Sequence, residues 1–136
     1  MIHEKRKQSV RNWIASADYD LITAEHMLQT GLYLYIAFIC HQAVEKMLKA
    51  HIELKENKLP PLIQDLGKLS EHAALNVPDN LHRILRKLNK AGISTIYPND
   101  LQKRLAQYTE GYCSQVIDET QKLVRWLRSH PRSATL

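Results

Sequence analysis

The segment Leu32 to Leu54, LYLYIAFICHQAVEKMLKAHIEL, constrains this chain more than any other. It opens on nine uncharged residues, Leu32 to Cys40, and then turns amphipathic, placing His41, Gln42, Glu45, Lys46 and Lys49 along one predicted helix. An element this apolar at one end is expected to be surrounded by partners there. Its other end must leave the core or line a polar cleft, because buried charges are costly unless they are paired.

The neighbouring segments read as further helices. Val10, Trp13, Ile14, Ala17, Leu21, Ala24 and Leu28 recur at helical steps and predict a first helix over about 8–30. Asp18, Asp20 and Glu25 lie off that stripe. Gly31 is a suitable stop, since glycine accepts the left-handed conformation at a helix end. A second helix over about 32–57 then follows at once, which implies an antiparallel hairpin. Pro60 and Pro61 prevent easy continuation. A short helix is expected from Asp65 through Ala73, and a two-faced one over about 79–91, ended by Gly92. After the connector Ile93 to Asp100, a last helix over about 99–129 is predicted to bury Leu105, Tyr108, Tyr112, Val116, Thr120, Leu123 and Leu127. The tail from Pro131 is expected to fray. The expected architecture is all-α, an antiparallel up-and-down four-helix bundle with one or two extra short helices. It is read as one domain over residues 1–136 with its core within about 8–129.

Composition limits the function. At 136 residues the chain can bury a core without staples. Cys40 and Cys113 fall in apolar helical patterns, as reduced buried thiols do. The N-terminal residues carry no apolar signal-peptide core, and the longest uncharged run is about half a bilayer span. A cytoplasmic protein without membrane contact is expected. The formal net charge of +5 favours polyanionic partners only weakly.

Three constellations can carry chemistry. His41, Glu45 and Lys49 share a helix face, with Gln42 and Lys46 beside it. They read either as a solvated charge ladder or as a polar wall for phosphate or nucleotide. His41 and Glu45 lack the second pair that a metal site needs, so neither metal nor cofactor is expected. Arg83, Arg86, Lys87 and Lys90 form a basic face, either solvated or tracking phosphates, with no aromatic partner on its own helix. Arg125 and His130 near the end of the last helix can flank a phosphodiester or simply favour the helix dipole. No glycine-rich phosphate loop or nucleophile elbow occurs.

Several blocks together resemble the HEPN domain, in its small stand-alone prokaryotic form. They are Trp13 with Ala17-Asp18-Tyr19-Asp20-Leu21 and Ala24, the Gly31-Leu32-Tyr33 turn, the run Phe38 to Ala50, Asp65-Leu66, and Tyr97-Pro98. The resemblance implies a four-helix bundle, usually dimeric, often paired with a minimal nucleotidyltransferase as a toxin–antitoxin-like system. It also implies a nucleotide site, of which His41, Gln42, Glu45, Lys49 and Tyr97 remain. Ile96 and Gln64 replace an arginine and a histidine common in relatives. Ribonucleases of the wider family place an arginine and, a few residues later, a histidine at the start of the last helix. Here the only such pair, Arg125 and His130, lies at its far end. The expected function is a binding module for a nucleotide or other phosphate ligand. The alternative is a dimeric, metal-independent ribonuclease toxin acting on RNA. In a third reading, an exposed tyrosine such as Tyr97 is modified by the partner.

Overall fold

The computed structural model describes residues 3–93 and 98–136, so Ile96 and Tyr97 lie outside the described residues. Its α-helices are α1 (Glu4–Gln29), α2 (Ile36–Glu56), α3 (Leu66–His72), α4 (Asp79–Ile93), α5 (Leu101–Gln107) and α6 (Glu110–Ser129). Short 3₁₀ segments, Pro98–Asp100 and Pro131–Thr135, precede α5 and follow α6. The fold is an all-α bundle of α1, α2, α4 and α6, with α2 central: it touches α1, α3, α4, α6 and the C-terminal 3₁₀ segment.

The α1–α2 hairpin forms as the sequence predicts, with shifted ends. Helix α1 begins at Glu4, ahead of its apolar stripe, where an acidic first turn suits the helix dipole. At its other end Gly31 takes φ +77°, the Leu32 N–H donates to the Met27 carbonyl (2.9 Å) and the Gly31 N–H to that of Leu28 (3.4 Å). This paired closure reverses the chain. The reversal uses up Leu32 to Tyr35, so α2 starts at Ile36, not near residue 32. Leu32 and Tyr35 are more than half exposed and Phe38 is 36% exposed, so the uncharged run is not uniformly core. Within it, Ile36, Ala37 and Cys40 are buried.

Other expectations shift for similar local reasons. Asp65 caps α3, its Oδ1 accepting the Lys68 N–H (2.9 Å). Helix α4 runs through Gly92 to Ile93, because an interior glycine costs a helix only about 1 kcal/mol. The predicted last helix is broken. Tyr108 leaves helical geometry (φ −90°, ψ 70°), and Thr109 caps a new helix, its hydroxyl accepting the Tyr112 N–H (3.2 Å). Leu105, expected in the core, therefore lies on α5 and is exposed. Asp20 is buried through its ion pair with Lys46 (2.7 Å). In place of a frayed end, residues 131–135 form a 3₁₀ turn, and the Arg132 guanidinium donates to the carbonyl of Ala73 (2.7 Å). Among the described residues, no helix is long and apolar enough to cross a membrane.

Candidate functional site

The i, i+4 row on α2 forms a ridge of His41, Glu45, Lys49 and Glu53; the structure buries His41, Lys49 and Glu53 against the bundle and leaves Glu45 half-buried. Glu45 accepts from Lys49 Nζ (2.9 Å) and lies 3.7 Å from His41 Nδ1. The Lys49 ammonium also sits 5.8 Å from the centroid of the Trp13 ring. Lys49 is 8% exposed and His41 2% exposed. At that exposure neither is part of a solvated ladder, and among the described residues neither lines an open wall. Burial pushes the His41 imidazole below its ordinary range; the Glu45 carboxylate, the Gln64 backbone, Asp65 and Asn89 act against that shift. Its Nε2 is buried without a hydrogen-bond partner. Gln42 is half-buried, and Tyr97 lies outside the described residues.

The ridge ends at a residue sequence reasoning passed over. Glu53 is fully buried, and its carboxylate accepts from Ser9 Oγ (2.9 Å), Trp13 Nε1 (3.0 Å) and Arg6 Nη1 (3.2 Å). These bonds stitch the start of α1 to the end of α2. The ridge is thus a polar seam whose charges are matched from within the fold.

The residues suggested at the end of α6 do not converge. Arg125 lines a groove of about 330 Å³ with Asp18, Leu21, Gln121, Val124 and Arg128. His130 instead packs edge-on against Trp126 and His51, and its Nδ1 accepts the Arg132 N–H (3.1 Å). His51, buried beneath it, donates from Nε2 to the Leu127 carbonyl (2.7 Å). Burial, together with Arg132 and His130, lowers its pKa to about 4. The Cys40 thiol is pushed up to about 12, chiefly by burial, which leaves it protonated and unreactive at neutral pH.

The basic face of α4 is where an open site forms. Leu81, Ile84, Leu85 and Leu88 are buried on its inner side, which turns Arg83, Arg86, Lys87 and Lys90 outward. The break at Tyr108–Thr109 brings α5 and the first turn of α6 to these cations. Together they enclose a pocket of about 420 Å³, also lined by Ala91, Arg104, Gln107, Tyr108 and Tyr112. Arg86 Nη1 lies 2.9 Å from His82 Nδ1, and Arg104 Nη1 donates to the Tyr108 hydroxyl (3.4 Å). Lys87 bonds Glu119 (2.7 Å) and sits 4.9 Å from the Tyr112 ring centroid. The aromatic partners absent from α4 itself are supplied by the following helices. The steps of four from Arg104 to Tyr108 to Tyr112 were visible in the sequence; their pairing with α4 was not.

Guanidinium and ammonium groups in such a pocket suit phosphate oxygens; Tyr108 is buried beneath them and the half-buried Tyr112 ring carries the Lys87 ammonium. Among the described residues, no group of three or more His, Cys, Asp or Glu side chains is arranged to hold a metal.

The HEPN domain matches residues 10–130 of the chain. Among solved structures, the fold is similar to TT1696 from Thermus thermophilus (TM-score 0.70, 23% identity, covering 88% of this chain and 95% of that one). It is equally similar to ST0689, an archaeal HEPN homologue (TM-score 0.70, 20% identity, covering 88% and 94%). At these identities the likeness is one of fold. No curated protein matches the chain in sequence.

Proposed function

The chain belongs to the HEPN domain family, and from that premise we propose that it is a non-catalytic module binding a nucleotide or other phosphate ligand between α4 and the α5–α6 corner. The observation that carries this reading is the convergence of Arg83, Arg86, Lys87, Lys90 and Arg104 on one pocket that also holds Tyr108 and Tyr112. The cations take the phosphates, and the Tyr112 ring holds Lys87 in place among them. The site moves from the His41–Glu45–Lys49 ridge to this pocket, because the ridge is closed and its charges already have partners.

The family also motivates a homodimer and a minimal nucleotidyltransferase as partner, in a toxin–antitoxin-like pair acting in the cytoplasm. Co-expression with a neighbouring nucleotidyltransferase, followed by size-exclusion chromatography, tests both; a monomer that never co-elutes counts against them. A ribonuclease reading is not favoured. No histidine occurs between His82 and His130, so the start of the last helix carries none to pair with an arginine.

The ligand site is tested by titrating fluorescently labelled ATP into the wild-type protein and into Arg83→Ala, Arg104→Ala and Arg125→Ala. Losing one charge-assisted hydrogen bond weakens binding by about tenfold or more. The two pocket variants should show that loss, and Arg125→Ala should bind as wild type does. Absence of wild-type binding at millimolar ATP, or equal loss in all three variants, sinks the assignment.

A further inference from the structure

One acidic side chain is built against the basic pocket. Glu119 projects from α6 and its Oε1 lies 2.7 Å from Lys87 Nζ. Its side chain is only 17% exposed, so water screens its charge less than it would a free surface carboxylate. Glu119 also acts on Tyr112, whose hydroxyl is held above its ordinary range mainly by burial, with Glu119 adding to the rise and Lys87 opposing it. Lys87 is placed twice, by Glu119 on one side and by the Tyr112 ring on the other. Arg83, by contrast, has no hydrogen-bond or ion-pair partner among the described residues.

We propose that Glu119 is a specificity-determining residue of this pocket: a resident anion that competes with incoming phosphate for Lys87 and holds down affinity most for the most highly charged ligands. The inference rests on the phosphate-site reading above and says how that site ranks its ligands. The sign follows from the geometry. Removing the carboxylate does not release Lys87, because the Tyr112 ring still positions it. What is removed is a negative charge one ammonium away from any phosphate that Lys87 contacts. Coulomb repulsion scales with ligand charge, so relief of it favours a triphosphate over a monophosphate. At the distance of one intervening ammonium, with near-surface screening, the gain is on the order of threefold for AMP and tenfold for ATP.

If Glu119 served only to join α6 to α4, its loss would loosen the pocket and weaken every ligand alike. Isothermal titration calorimetry with AMP and ATP, on wild type, Glu119→Gln and Glu119→Asp, separates the two. The expected result is tighter binding in Glu119→Gln, graded from AMP to ATP, and wild-type ranking in Glu119→Asp, which keeps the charge. A second pair guards against loss of fold: in a Lys87→Met background, which leaves no ammonium to compete for, adding Glu119→Gln should tighten ATP binding less than it does in wild type, and an equal gain would overturn the proposal. Wild-type binding with no gain, or an ungraded gain, in Glu119→Gln overturns the proposal and leaves the phosphate site standing. If wild type binds neither nucleotide, the site reading fails and this inference fails with it.

Discussion

Replacing Glu53 with alanine tests whether the polar ridge of α2 is a structural seam. The carboxylate is fully buried and accepts three side-chain hydrogen bonds from α1. Its removal strands the Ser9 hydroxyl and the Trp13 indole N–H at a partly buried interface, each at a cost of about 1–2 kcal/mol. Arg6 contributes less than about 1 kcal/mol, because its side chain is 34% exposed and water takes over its solvation. The expected loss is about 3 kcal/mol. For 136 residues, at about 2.1 cal/mol/K of unfolding entropy per residue, that lowers Tm by roughly 10 °C. Glu53→Gln keeps the shape and one acceptor, and should cost about half as much. Glu4→Gln is the comparison. That pair with Lys7 is 3.6 Å long with an 80% exposed carboxylate, and its loss should change stability by less than about 0.5 kcal/mol. Urea unfolding followed by circular dichroism measures all three. If Glu53→Ala and Glu4→Gln unfold at the same urea concentration with unchanged slopes, the seam is not structural and the ridge must be reconsidered as a binding surface.

Two further outcomes follow from the far end of the bundle. His51 has a folded pKa of about 4 against an ordinary value of 6.5, so the fold favours its neutral form. Its contribution is fully present above about pH 6.5 and is lost as pH falls toward 4, amounting to about 2 kcal/mol between pH 7.5 and 5; His41 shifts in the same direction. Urea unfolding at the two pH values should show a smaller loss in His51→Gln, which does not titrate, and an equal loss would refute the burial argument. Arg132→Ala removes bonds to the carbonyls of Ala73 and His51 and should cost about 1–2 kcal/mol. Hydrogen exchange in α3 should quicken, and unchanged exchange there would show that the tail does not tie α3 down.

Much of this fold was legible because the signals are local. The stripe from Val10 to Leu28, the reversal at Gly31, the cap at Asp65 and the two faces of α4 each depend on residues a few positions apart. The break at Thr109 was also written locally, in a threonine followed by Glu110. A continuous apolar repeat hid it, because two helices in rough register mimic one. Of the candidate site, the cations of α4 were legible as a face. That they line a pocket was not, since Arg104, Tyr108 and Tyr112 come from helices beyond the connector.

The segment Leu32 to Leu54 separates the two kinds of information. By itself the sequence determined that a helix would form here and lie at the centre, because helical propensity and apolar periodicity are properties of neighbours. Which part of it would be buried was decided only by tertiary structure. Leu32 and Tyr35 lie exposed at the reversal, whereas Lys49 and Glu53 are buried. A charge can enter an interior only where another element brings hydrogen bonds or an opposite charge to it. For Glu53 those partners are Arg6, Ser9 and Trp13, on another helix and far away in the chain.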